Sequence, residues 1–352
     1  MKMKKILITG NLGYVGPVLT KKIKNDFSEY QIIGFDSGYF LTNITSNTVV
    51  SDILVSEQYF GDIRNFPVSI LKDVESVIHL AAISNDPMSN SFEEVTYDIN
   101  YNSSIKLAML AKEAGVNNFI FASSCSVYGF AENGERVESS ELNPLTAYAK
   151  SKVLTEKALI ELADKDFKIT CLRFATACGA SDRLRLDLVI NDFVASAISN
   201  NKISILSDGS PWRPLINVKD MARAISWAIS RNNGGEYLVV NTGSNDWNFQ
   251  VKDIAYRIKE ILPGTIIDIN SNAQPDKRSY KVDFSLFHEL APEAYPKITI
   301  NETINELIEK FNSINFKDAN FRNSNFVRLN MINSLKNSNQ LDNTLYWNHD
   351  IN

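Results

Sequence analysis

The sequence predicts an α/β fold, a doubly wound parallel sheet with a smaller mixed α/β lobe beside it. Three observations carry that expectation. Short β-branched runs alternate with longer helical patterns through the first half, the first run leads directly into a glycine-cornered turn, and the alternation loosens after about residue 180. Such alternation argues for βαβ units, whose helices cover both faces of a parallel sheet. Ligands of such sheets sit beyond the carboxyl ends of the strands.

In chain order, strands are expected at 5–9, 31–35, 76–79, 118–122 and 168–173, with helices at 15–24, 99–114 and 144–162. The apolar run Ile6-Leu7-Ile8 follows a basic start but is too short for a signal peptide and suits a buried first strand. In the second half, helices at 188–199, 219–229 and 251–261 are separated by short strands at 203–206, 236–240 and 265–269. The chain therefore divides into a sheet domain at 1–180, a lobe at 181–310 with some segments free to return to the sheet, and a C-terminal surface segment at 311–352. That last segment is rich in Asn and Ser, and one or two short helices with a fraying end are expected.

With 352 residues, 44% hydrophobic and 22% charged, the chain has the composition of a globular protein with a sizeable core. Its formal charge of −5 argues against nucleic acid as the main partner, since phosphate backbones attract basic faces. A small anionic ligand is still allowed, because it needs only one or two local cations and a helix N-terminus. Cys125, Cys171 and Cys178 are not spaced like metal ligands, so no metal site and a reducing, cytoplasmic compartment are expected. No apolar run approaches membrane-spanning length, and no membrane partner is expected.

The first strand runs into Gly10-Asn11-Leu12-Gly13-Tyr14-Val15-Gly16, which opens a helix. Glycine lets the backbone turn sharply and approach a pyrophosphate, whose charge the helix N–H groups attract. A three-glycine loop alone could be a structural turn; its position between strand and helix strengthens the dinucleotide reading. Asp36 ends the second strand, where a carboxylate accepts from the adenosine ribose hydroxyls and repels a 2′-phosphate. None of the five residues after Asp36 is Arg or Lys, so the expected cofactor is NAD rather than NADP. Gly61-Asp62-Ile63 falls where a third strand would end; Asp62 is either an adenine contact or a turn former.

Tyr148 and Lys152 lie four apart in a helical pattern introduced by Asn143-Pro144, hence on one helix face. A nearby ammonium and a positive nicotinamide both favour phenolate, bringing the Tyr pKa down toward working pH. Such a Tyr can take a hydroxyl proton as hydride leaves the same carbon. The same spacing also arises by chance on surface helices. Upstream, the buried run at 119–122 ends in Ser123-Ser124-Cys125-Ser126, and Ser124 is placed to hydrogen-bond a reacting oxygen. Ser123 and Ser126 read as strand-end caps.

Taken together, the glycine loop, Asp36, Asp62-Ile63, His79-Leu80-Ala81-Ala82, Asn100, the Ser-Ser-x-x-Val-Tyr-Gly run and the Tyr148/Lys152 pair resemble the extended short-chain dehydrogenase/reductase family. Within it, the chain looks most like the nucleotide-sugar epimerase/dehydratase group, over residues 4–290. The resemblance implies a Rossmann sheet and further roles. Tyr14 and Val15 match loop residues over the pyrophosphate, and Leu80, Ala81 and Ala82 match the strand end that lines the cofactor. Asn100 matches the group's central-helix Asn, Ala175 the position beside the nicotinamide, and Arg213 an Arg that binds the substrate diphosphate. Arg278 is a second phosphate candidate. A homodimer through the helices at 99–114 and 144–162 is also implied.

Departures narrow the activity. The group's 4,6-dehydratases carry Asp-Glu after the catalytic Thr; here those positions are Cys125 and Ser126, so elimination lacks its acid/base pair. UDP-galactose-type epimerases carry an Asn where this chain has Thr176, so substrate contacts differ there. The expected activity is a nucleotide-sugar epimerase or 4-keto-sugar reductase, with a nucleoside-diphosphate sugar as substrate. A dehydratase, or a non-catalytic NAD-binding regulator on the same fold, is the alternative. The charged run at 181–187 either reads substrate or pairs internally.

Overall fold

Seven parallel strands form the central sheet of the computed structural model, which describes residues 4–45, 50–131, 134–270, 272–273 and 279–348. Numbered within this sheet, they are β1 (Lys5–Thr9), β2 (Gln31–Asp36), β3 (Glu57–Phe60), β4 (Val74–His79), β5 (Asn118–Ser124), β6 (Lys168–Phe174) and β7 (Tyr237–Thr242). Their spatial order is β7-β6-β5-β4-β1-β2-β3. Residues Ile6, Leu7 and Ile8 are fully buried, as a strand covered on both faces requires. The order reverses between β1 and β4, which opens a crevice at their carboxyl ends.

One face is covered by α1 (Gly16–Asp26) and by the helix Val218–Ser230, whose Ala222, Ile225 and Ile229 share a core with Leu19 and Ile23. The other face carries α2 (Ser103–Glu113) and α3 (Ala147–Leu159). The helix expected at 99–114 is interrupted. A π-turn at Asp98–Asn102 precedes α2, and Asn100 lies in it. Thr146 caps α3 by accepting from Ala149 N at 3.2 Å, so Pro144 stays outside the helix.

The lobe is built from three short strands (Thr176–Cys178, Trp212–Asn217 and Asn248–Gln250), a parallel pair (Lys202–Ile205 with Ile266–Ile269), and helices Val189–Asn200, Val251–Ile261 and Ile300–Ser313. These helices bury Phe193, Ile254, Ile258, Ile304 and Leu307 in a core of their own. The strand expected at 236–240 belongs elsewhere. It is β7, paired with β6 along its whole length, so the chain leaves the sheet, builds lobe, and returns.

The C-terminal segment is more than a surface appendage. Helix Arg328–Asn337 buries Met331, Ile332 and Leu335, and Leu341 and Leu345 follow them into the core beneath the second face of the sheet. Residues one and four apart fall on one helix face, which is why a sparse apolar pattern sufficed.

Candidate active site

A cavity of about 580 Å³ runs along the carboxyl ends of the strands, across the β1/β4 crevice and under the lobe. Its floor is the loop after β1. Gly10 has φ +74°, and a Cβ there would lie 2.6 Å from Ala81 N, so only glycine lets the loop sit on the end of β4. A Cβ on Gly13 would meet only Gly10 O at 3.1 Å, which leaves the open side of the loop free for a ligand. Tyr14 and Val15 complete this floor. Gly16 is not on the wall. A Cβ there would fall 1.9 Å from Asn11 O, so this glycine serves the tight seam between loop and α1.

Asp36 stands at one end of the cavity with its carboxylate fixed by two backbone donors, Leu12 N at 2.9 Å and Gly38 N at 2.8 Å. Burial raises its pKa, and these two N–H bonds act against that rise. Asp62 and Ile63 line the same end. Both Asp62 oxygens are engaged by Arg64, at 2.8 Å to Nε and 2.6 Å to Nη2, so this carboxylate organises the turn and its arginine. Leu80, Ala81 and Ala82 form the adjoining wall at the end of β4.

The other end gathers Ser124, Tyr148, Lys152, Ala175, Thr176 and Arg213. Lys152 is 3% exposed; its Nζ donates to Ala122 O at 2.7 Å and lies 5.6 Å from the centre of the Tyr148 ring. Burial pushes Lys152 down to about 7, with Glu156, one turn further along α3, acting the other way. Burial also pushes the Tyr148 phenol up to about 12, and hydrogen bonding with Ser124 is the main opposing cause. Among the protein's own groups burial prevails at the phenol; the lowered Tyr pKa expected above also invoked the positive nicotinamide.

Ser124 caps the turn Cys125–Tyr128 by accepting from Ser126 N at 3.1 Å. The capping role assigned to Ser126 therefore belongs to Ser124. Ser126 Oγ is itself buried with no hydrogen-bond partner among the described residues, and Ser126 lines the cavity. Ser123 also borders the cavity, but its hydroxyl hydrogen-bonds Glu156, which is paired with Arg173 at 2.7 Å. Asn100 lies behind the wall rather than on it. Its side chain accepts from Ile83 N at 2.8 Å, donates to Ile83 O at 3.0 Å, and so fixes the loop after β4. Arg213 donates to Trp212 O at 2.9 Å. Arg278 lies outside the described residues.

Several wall residues escaped sequence reasoning. Asp86, held by Thr146 at 2.8 Å, and the buried Tyr280 stand near Tyr148 at the reaction end. The run at 181–187 pairs within the protein, and two of its residues also line the cavity. Asp182 pairs with Lys21 and Arg183 with Asp52, whereas Arg185 and Asp187 pair with each other and line the cavity. Arg328 reaches the cavity from the C-terminal segment, and no local motif announced it. Among the described residues no cluster of ligating side chains could hold a metal ion.

The arrangement fits a dinucleotide. The open face of Gly13 admits a pyrophosphate, the pinned carboxylate of Asp36 suits a ribose diol, and the phenol and ammonium lie at the far end of the same cavity. Comparison with known proteins agrees. The chain is 26% identical over 333 residues to the dTDP-D-glucose 4,6-dehydratase of Mus musculus, covering 90% of this chain and 91% of that protein. It is 30% identical over 248 residues to a putative UDP-glucose 4-epimerase of Methanocaldococcus jannaschii, covering 68% of this chain and 77% of the relative. Its fold is similar to that of the UDP-glucuronic acid 4-epimerase of Bacillus cereus in complex with NAD, with a TM-score of 0.76 at 22% identity over 90% of this chain and 98% of that one. The NAD dependent epimerase/dehydratase family matches residues 6–243 of the sequence. With two thirds of its length inside that match, the chain belongs to the NAD-dependent epimerase/dehydratase family.

Proposed function

We propose that this chain is an NAD-dependent nucleotide-sugar epimerase. The observation that carries the reading is the meeting of Ser124, Tyr148 and Lys152 with Arg213 at one end of a cavity whose other end is the glycine loop and Asp36. When bound, NAD would supply hydride exchange at the sugar carbon. Gly10, Gly13, Tyr14, Val15 and Asp36 would hold it, with Asp62 and Ile63 serving its adenine half and Ala175 its nicotinamide half.

Tyr148 takes the proton from a sugar hydroxyl as that carbon is oxidised, and returns it when the carbon is reduced on its opposite face. Ser124, on the cavity wall with Tyr148 and acting to lower the phenol's pKa, steadies the same oxygen. Lys152 brings a cation whose pKa of about 7 lets it gain or lose a proton at working pH. Arg213 offers a planar donor for the substrate diphosphate. The unpartnered Ser126 hydroxyl and Thr176 suit sugar hydroxyls, and Arg278, outside the described residues, is a second candidate for a substrate phosphate.

A 4,6-dehydratase is the second reading, since such enzymes are among the relatives. The site speaks against it. Cys125 is 1% exposed, its thiol donates to Arg173 O, and burial drives its pKa far up, so it cannot relay protons at working pH. A keto-sugar reductase differs by needing fresh reduced cofactor each turnover. Purified protein that carries NAD and turns over UDP-, GDP-, CDP- or dTDP-sugars with none added supports the epimerase; strict dependence on supplied NADH contradicts it. A homodimer is proposed through the helix faces that expose Met109 and Leu154, testable by sedimentation. Among the described residues no helix is long and apolar enough to cross a membrane, and a cytoplasmic location is proposed.

A further inference from the structure

Arg328 opens the helix Arg328–Asn337 and is 2% exposed, yet it stands on the cavity wall. Its guanidinium lies over the Phe40 ring, 4.0 Å from the centroid. Nη2 reaches Arg183 O at 3.4 Å, a long contact, and Nη1 has no hydrogen-bond partner among the described residues. The neighbouring arginines are paired, Arg183 with Asp52 and Arg185 with Asp187; among the described residues no carboxylate lies within ion-pair distance of Arg328. A buried cation with an unused N–H on a cavity wall calls for an anion.

Its surroundings locate that anion. Arg328 packs on Phe40 and reaches Arg183 O, and its segment is bonded to Ser37, Tyr39 and Asn43 in the loop that follows Asp36. Its charged neighbours are Arg185 first, then Asp187, Arg183 and Asp36. Arg328 therefore stands on the wall beside the loop after β2, toward the Asp36 end of the cavity. We propose that Arg328 donates to the diphosphate of bound NAD, and that residues 321–348 form a C-terminal clasp that holds it there. The inference rests on the NAD reading above. Burial, then the Arg185 cation, pushes Arg328 down to about 9, and a diphosphate would reverse that fall.

The clasp is tied to the loops that carry the adenosine contacts. Trp347 Nε1 donates to Ser37 O at 2.6 Å, Tyr39 donates to Leu345 O, and Asn43 Nδ2 donates to Asn325 O at 2.6 Å. Arg64, held by Asp62, donates to Thr344 O at 2.7 Å and lies 3.5 Å from the Tyr346 ring centre. Asp62 thus serves the cofactor end by anchoring the clasp. Release of NAD then requires Arg328 to lose its anion, so the cofactor should leave slowly.

The test is calorimetric titration of the full chain, stripped of nucleotide, with NAD, NADP, ADP and UDP. For R328M, NAD and ADP should bind at least about tenfold more weakly, the scale of one lost charge-assisted hydrogen bond, while UDP is unaffected. R328K should recover part of the loss, because it keeps a point charge without the fork. Unchanged NAD and ADP affinity in R328M would overturn the proposal, and so would a loss confined to NADP, which would move the contact to a 2′-phosphate. Because the substitution could loosen the clasp itself, hydrogen exchange of the wild-type chain is the second measurement. NAD should slow amide exchange across Arg328–Asn337, and no slowing there overturns the proposal. A wild-type chain that binds neither NAD nor ADP would sink the reading of the whole cavity, this inference with it.

Discussion

One wall of the cavity is built from two short runs near the start of the chain, Gly10 to Val15 and Phe35 to Asp36; the facing wall is gathered from Arg185 and Asp187, from Arg213, and from Arg328 near the C-terminus. The first works by backbone. Its glycines, a positive φ and two N–H bonds to Asp36 fix a shape that any residue with a Cβ at Gly10 would break. The second works by long side chains whose charges are paired or buried, and its geometry depends on the lobe and the C-terminal helix docking correctly. A shape fixed by backbone is written in short runs of neighbouring residues; a charge pattern fixed by docking is written across the chain.

Four substitutions sharpen that contrast. The largest effect is expected where the two walls meet. Tyr148→Phe should lower turnover at least about a hundredfold, the scale of a lost general acid/base, with NAD affinity kept. Near-normal turnover would remove Tyr148 from its assigned role. On the backbone wall, Gly10→Ala forces a side chain into a left-handed conformation 2.6 Å from Ala81 N. We expect a loss of about 3 kcal/mol in denaturant-measured stability, from strain and overpacking together, along with the loss of NAD binding. A variant as stable as wild type would show that the loop is not held as described.

A pH experiment probes the reaction end. Lys152 falls from its ordinary 10.5 to about 7 on folding, so between those values the unfolded chain binds more protons than the folded one. Stability should therefore rise with pH across that window, and Lys152→Met should abolish this contribution. Measured without nucleotide, wild type should gain about 2 kcal/mol over K152M between pH 7 and 9. Parallel stability curves would mean that the ammonium is not desolvated. The smallest effect is expected at Asp36→Ala, which should shift preference toward NADP by about tenfold, the scale of one lost charge-assisted contact. Unaltered discrimination would leave cofactor choice to the facing wall, where Arg328 is one of the cations acting on Asp36.

That last possibility marks the limit of what the sequence made legible. The five residues after Asp36 hold no cation, and that local fact was read correctly, but the fold brings Arg328 to the same neighbourhood from far along the chain. Strands β1, β2, β4, β5 and β6 were legible because residues buried on both faces leave unbroken apolar runs, and β1 falls at the expected residues; the half-exposed edge strand β3 leaves no such run. The return of β7 was not, because a strand's run does not say which sheet it joins. Tyr148, Lys152 and Ser124 were legible as a spacing and a strand end, whereas their pKa values were set by burial that no spacing reveals. Ser126 was misjudged for the same reason. Which of two neighbouring hydroxyls caps a turn depends on backbone angles, and here Ser124 took that place.

The central claim is that Tyr148 removes and returns a hydroxyl proton while NAD would take hydride from the same sugar carbon and give it back to the opposite face. Its most direct test is to incubate the purified protein with candidate nucleotide sugars in D2O, with no cofactor added, and to read the product by NMR. The account predicts an epimer whose inverted carbon carries no solvent deuterium. A 4-keto-6-deoxy product, or deuterium at the inverted carbon, would contradict it.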